Sequence, residues 1–152
     1  MQFFAVLITL AAFAAAVVAS PAGRDISEDG TSASIISDVE MAHWIATTDA
    51  ELTFVGDLPN PLAKRSAQST TVTYCTKRIG TICGGTCTVY TGGATCLDAV
   101  GTTCLTATRD IGFCDETECN GDCNALSLCG TSMASGFCFT PNTQSVLVSP
   151  LK

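Results

Sequence analysis

Beyond Trp44 the chain contains neither histidine nor tryptophan, and before Cys75 it contains no cysteine. The first absence removes Ser-His-Asp catalysis, Cys-His catalysis and His-ligated zinc from everything past residue 65. Cations are scarce, and only Lys77, Arg78, Arg109 and Lys152 lie beyond that point. A nucleic-acid surface needs a basic footprint, and membrane lysis needs a basic amphipathic one, so neither is expected. No C-x-x-C pair and no N-x-S/T sequon occurs. After residue 19 no apolar run reaches the roughly 20 residues of a membrane span.

What is present begins with export. Phe3 to Val18 is apolar and rich in alanine, and Val17 and Ala19 occupy the −3 and −1 positions of a cleavage site. Residues 1–19 therefore read as a secretory signal cut after Ala19, with no membrane insertion of the remainder. Residues 20–65 differ in kind from the cysteine-bearing remainder of the chain. They hold eight acids against Arg24, Lys64 and Arg65, a balance of −5, together with His43 and Trp44. Gly23 to Ser34 is small and polar and is expected to be disordered. Asp38 to Ala46 predicts a helix capped by Ser37, and Leu52 to Val55 a short strand. Such a segment either docks on the rest of the chain or acts as a spacer.

The composition breaks at Pro59-Asn60-Pro61, ahead of Lys64-Arg65. Proline keeps its neighbour extended, and an extended exposed stretch suits a protease cleft. The pair resembles the dibasic site of kexin-type secretory proteases. Residues 20–65 then form an acidic pro-segment, and 66–152 the functional domain.

That domain carries all ten cysteines: Cys75, Cys83, Cys87, Cys96, Cys104, Cys114, Cys119, Cys123, Cys129 and Cys138. An even, dense set in an exported chain reads as a disulfide framework whose connectivity the sequence leaves open. A chain this short buries too little surface to be stable by packing alone, and each bridge adds about 2–4 kcal/mol. Splitting after Cys104 leaves five cysteines per half, so at least one bridge crosses between halves. The apolar set is sparse: Val72, Val89, Leu97, Leu105, Ile111, Phe113, Leu126, Leu128, Phe137, Phe139 and Val146 to Val148. Hairpins are predicted about Gly92-Gly93, Arg109-Asp110 and Pro141-Asn142, a strand over Thr70–Cys75, and one helical turn capped by Asp122. The fold class expected is a small disulfide-rich, mainly β domain with at most one short helix, preceded by a signal peptide and a partly helical pro-segment.

Two stretches raise specific chemistry. Asp115 to Asp122 alternates oxygen ligands like the front of a calcium loop, but Ser127 stands where the bidentate Glu belongs, so it reads as a solvated acidic turn. No metal and no cofactor are expected. Cys75-Thr76-Lys77-Arg78-Ile79 resembles the reactive loop of squash-type trypsin inhibitors, and otherwise reads as a charged turn.

The layout resembles the small secreted cysteine-rich proteins of filamentous fungi. The residues that carry the resemblance are the signal through Ala19, the Lys64-Arg65 pair, the run from Cys75 to Tyr90, and Gly136 to Pro141. Hydrophobin and hevein-type patterns fail for want of an adjacent Cys-Cys pair. The resemblance implies a non-enzymatic effector or elicitor in the host apoplast. Its partner would be an extracellular protein, such as a plant cell-surface receptor. The alternatives are a protease inhibitor using the Lys77-Arg78 loop and an antimicrobial toxin. N-terminal sequencing of secreted material is expected to read from Ser66; a start near Ser20 in most molecules, with none at Ser66, would count against a pro-segment.

Overall fold

A computed structural model describes residues 33–57 and 69–149. The expected signal peptide with its cut after Ala19, and the expected processing site at Lys64-Arg65, lie outside the described residues. The described residues form a small, mainly β, disulfide-rich fold with one α-helix. Its elements are α1 (Asp38–Thr47), β1 (Glu51–Gly56), β2 (Thr70–Ile79), β3 (Ile82–Gly92), β4 (Thr95–Ala107), β5 (Gly112–Cys114), β6 (Cys123–Ala125) and β7 (Cys138–Val148). The strands form one sheet in the order β1-β3-β2-β4-β7-β5-β6.

Helix α1 starts where the sequence places it. The Glu40 amide donates to Ser37 Oγ (3.2 Å), and the Ser37 amide donates to Glu40 Oε2 (2.8 Å). This reciprocal box satisfies two amides that a helix start leaves unpaired. The helix ends at Thr48, whose extended backbone turns the chain toward β1.

Strand β4 bends sharply, and the reason is visible in the register. Gly92 pairs with Thr70 at one end of β2, while Cys104 and Ala107 pair with Cys75 and Val72. A straight β4 would carry Thr95 beyond the opposite end of β2. Only Gly93 and Ala94 join Gly92 to Thr95, so β4 folds back on itself. The bend coincides with bulges. Between the Asp98–Ser145 and Thr102–Thr143 pairs, β4 carries two residues more than β7; between Thr102–Thr143 and Cys104–Phe139, β7 carries two more than β4. Opposed bulges kink both strands and restore the register. Asn142 takes a positive φ of 64° there, and Pro141, which lacks an amide, sits at the same irregularity.

The sheet thereby becomes two layers. One holds β1, β3, β2 and the adjoining ends of β4 and β7. The other holds Thr95–Asp98 of β4, Ser145–Val148 of β7, β5 and β6. Between them lies the main core of Val72, Leu97, Leu105, Ala107, Ile111, Leu126, Val146 and Val148.

Five bridges pair all ten cysteines: Cys75–Cys87, Cys83–Cys104, Cys96–Cys119, Cys114–Cys123 and Cys129–Cys138. Cys75–Cys87 and Cys114–Cys123 join directly opposed residues of neighbouring strands. Cys83–Cys104 passes from β3 to β4 across β2, and Cys96–Cys119 links the two halves of the cysteine region.

Several sequence expectations need correction. Gly92-Gly93 turns the chain, but β3 and β4 do not pair, because β2 lies between them. Arg109-Asp110 joins β4 to β5, which pairs with β6 and β7 instead. Pro141-Asn142 lies inside β7, not in a hairpin. Asn124 to Leu128 forms β6 and a single 3-10 turn with no Asp122 cap, and Asp110 accepts the Ser127 amide (2.8 Å). Leu128, assigned to the core, is exposed, and Ser34, assigned to disorder, is fully buried.

The Glu40 carboxyl is held below the usual carboxylate range by its hydrogen bonds to Ser37, side chain first and then backbone. A lowered native value means its contribution is complete above the ordinary Glu range and fades as pH falls through the lowered value. Because Glu40 is exposed, solvent screening keeps that contribution small. Ser37→Ala is expected to cost about 1 kcal/mol in urea unfolding at neutral pH, with the difference shrinking on acidification.

Candidate functional site

The outer face of the first layer carries an unusual mixture. Cys75–Cys87 and Cys83–Cys104 lie buried there with Met133 and Phe137. Beside them run buried threonines: Thr71, Thr73, Thr91 and Thr106. Residues 33–57 cover this face. Met41 of α1 is fully buried and accepts a hydrogen bond from Thr73 Oγ1 (3.2 Å), and Thr106 Oγ1 donates to the Ser34 carbonyl (3.1 Å). The Trp44 ring lies 4.9 Å from that of Phe137, tilted by 53°. The Ile36 amide donates to the Ala107 carbonyl (2.9 Å). Gly136 makes room for the Ile36 side chain, since a Cβ there would collide with Ile36 Cγ2. Strand β1 then runs parallel to β3, with Glu51 beside Thr86 and Gly56 beside Thr91.

Two grooves border this cover. One, of about 520 Å³, follows α1 past Ile36, Val39, Glu40, His43 and Trp44 to Gly136. The other, of about 470 Å³, lies between the end of α1 and the β2–β3 hairpin, with Trp44, Ala50, Ile79 and Ile82 on its walls. Trp44, Thr47 and Ser135 line both, so they run together. The hairpin tip presents Ile79 and Ile82 at 74% and 63% exposure, and Val39 stands at 75% on α1. Large exposed apolar groups bordering one groove mark a surface suited to a partner.

The tip is braced. Beyond Cys75, β2 keeps β3 as its ladder partner, and the two bridges at Cys75 and Cys83 tie the hairpin down. Thr103 Oγ1 donates to the Thr76 carbonyl (2.9 Å), and the Ala134 amide to the Thr81 carbonyl (2.8 Å). A rigid tip loses little entropy on binding.

Lys77 and Arg78 lie on this hairpin, not in a loop. They pair with Gly84 and Cys83 in the ladder. The Arg78 guanidinium lies 4.2 Å over the Phe139 ring, and its Nε donates to the Gly80 carbonyl (2.8 Å). An inhibitor's reactive loop presents an unpaired, extended backbone with the basic side chain projecting outward. The β2 segment differs in that β3 pairs with it in the ladder and Arg78 stacks on Phe139.

The acidic stretch closes on itself. Asp115 Oδ1 accepts the Asp122 amide (2.8 Å), and Ser145 Oγ accepts the Cys119 amide (2.9 Å) while donating to the Glu116 carbonyl. Among the described residues no three His, Cys, Asp or Glu side chains form a metal-binding group, and no helix is long and apolar enough to cross a membrane. A smaller polar cleft lies beside Tyr74, whose hydroxyl donates to the Asp98 carbonyl (3.1 Å) and whose phenol is raised by burial.

Sequence reasoning singled out Lys77-Arg78, named Ile79 only as part of that motif, and missed Ile82. The available signal was a pair of β-branched apolar residues flanking Gly80-Thr81, where polar residues are usual. No protein-family model, no curated protein and no solved structure matches the chain. Trypsin is expected to leave the Lys77–Arg78 segment intact in the native protein and to cut it after reduction. Rapid native cleavage at either residue, read by peptide mass, would contradict the ladder pairing.

Proposed function

We propose that the chain is an exported effector- or elicitor-like protein, cut after Lys64-Arg65, that acts without catalysis by binding an extracellular host protein. Its five bridges and small β body suit an extracellular setting, where disulfides persist and proteases are abundant. The observation that carries the binding role is the braced apolar edge of Ile79 and Ile82 beside the Trp44 grooves. A fold that needs its own core elsewhere gains nothing from exposing two isoleucines at a turn. A protein partner with an apolar ridge would bury them, and a few such central groups dominate interface energetics.

Purified secreted protein infiltrated into plant leaf tissue is expected to trigger cell death or an oxidative burst. Reduction and alkylation should abolish the response. Ile79→Asp combined with Ile82→Asp should raise the effective concentration at least about tenfold, since both side chains are exposed and the fold does not depend on them. A double variant as potent as the parent would remove the hairpin tip from the interface. Absence of any response to folded protein would remove the elicitor reading.

A further inference from the structure

We infer that the cysteine-bearing body is a peptide-binding module whose ligand is residues 33–57 of its own chain, and that a chain cut between residues 57 and 69 persists as a two-chain protein. Residues 33–57 contain no cysteine, so no covalent bond other than the backbone joins them to the body. Everything else that holds them is non-covalent. Six residues of β1 add in parallel to the edge of β3, and the ladder extends to the Asp57 amide, which donates to the Thr91 carbonyl (2.9 Å). Strand addition of this kind supplies main-chain hydrogen bonds, while side-chain pockets supply selectivity.

The pockets are specific. Met41 is wholly buried against Thr73, Ile36 fits the space left by Gly136, and Trp44 packs on Phe137, itself wholly buried. The threonine hydroxyls find acceptors on the segment, at the Met41 sulfur and the Ser34 carbonyl. The segment is therefore seated by shape, by backbone pairing and by polar complementarity together. Release would uncover the face of Phe137 that meets Trp44 on the body and would expose Met41 on the segment. Hydrolysis of one peptide bond between 57 and 69, by a dibasic-specific endoprotease and one water, creates a carboxylate and an amine and disturbs none of these contacts. The natural occurrence of the cut form rests on the proposed processing at Lys64-Arg65; the seating does not.

The experiment separates the two. A site-specific protease sequence replaces residues 60–65 in the otherwise complete secreted chain, which is then cut to completion as judged on denaturing gels. Gel filtration and native mass at about 1 µM are expected to return both fragments together at the mass of the uncut protein. A labelled synthetic peptide 33–57 should exchange into the cut protein. The same peptide with Met41→Asp should compete at least about thirtyfold less well, and with Ala46→Gln, on the exposed side of α1, equally well. The free peptides have no fold to lose and order only on the body, so a weak competitor reports the seating and not a misfolded protein. Fragments that elute apart at about 1 µM, or peptides that compete alike whatever stands at Met41, would overturn the inference. Elution at twice the uncut mass would place the segment on a second copy and would also overturn it. If native secreted protein is found never to be cut while the engineered cut yields a stable pair, the processing proposal fails and the inference stands.

Discussion

Covering the outer face of the first layer is the constraint on which the rest of the molecule depends. That face is built from disulfide sulfur, threonine hydroxyls and one large ring, Phe137. Sulfur and phenyl favour exclusion of water, while buried hydroxyls are costly unless each finds a hydrogen-bond partner. A purely apolar cover would satisfy the first demand and fail the second. Residues 33–57 meet both, because Met41 is apolar in bulk yet offers a sulfur acceptor, and the Ser34 carbonyl lies within reach of Thr106. The positions of α1, of β1 at the edge of β3, and of both grooves derive from this fit.

The inner core answers a different problem. One sheet cannot bury both faces with so few apolar residues, so the sheet folds over and uses one set of side chains twice. The opposed bulges of β4 and β7 make the fold, and the short link at Gly93-Ala94 enforces it. The bridges then lock elements that pairing alone leaves loosely tied: the hairpin tip through Cys83–Cys104, and the acidic loop through Cys96–Cys119. In a body of this size the bridges serve in two ways, as restraints on the unfolded chain and, at Cys75–Cys87 and Cys83–Cys104, as packing material.

Local signals in the sequence were legible, and long-range ones were not. Ser37 announced α1 because a cap acts within the first turn; the Glu40 half of the capping box emerged only in the structure. Leu52 to Val55 and Thr70 to Cys75 announced strands by composition. The odd number of cysteines on either side of the split after Cys104 required a crossing bridge, which Cys96–Cys119 supplies. Gly92-Gly93, Arg109-Asp110 and Pro141-Asn142 misled because such residues mark where a chain can turn or kink, not which strand it meets afterwards. The partners are set by β2 taking the place between β3 and β4, and by bulges whose effect emerges only when both strands are in register. The apolar tip was hidden for a related reason: Ile79 and Ile82 look like ordinary strand residues until the neighbouring strand β4 is seen to stop short of them.

The order in which the chain is made gives the cover a further consequence. Residues 33–57 leave the ribosome before any part of the face they occupy, and Phe137, which receives Trp44, comes nearly last. Through most of synthesis α1 and β1 therefore have no seat, and a helix of ten residues is marginal by itself. The seat exists only once Cys75–Cys87 and Cys83–Cys104 have formed and β7 has closed against β4. Chains with scrambled bridges lack it, and Met41 and Trp44 then have no Thr73 and Phe137 to pack against. Docking thus follows oxidation to the correct pairing, and an earlier-made segment is seated only by a later-made face.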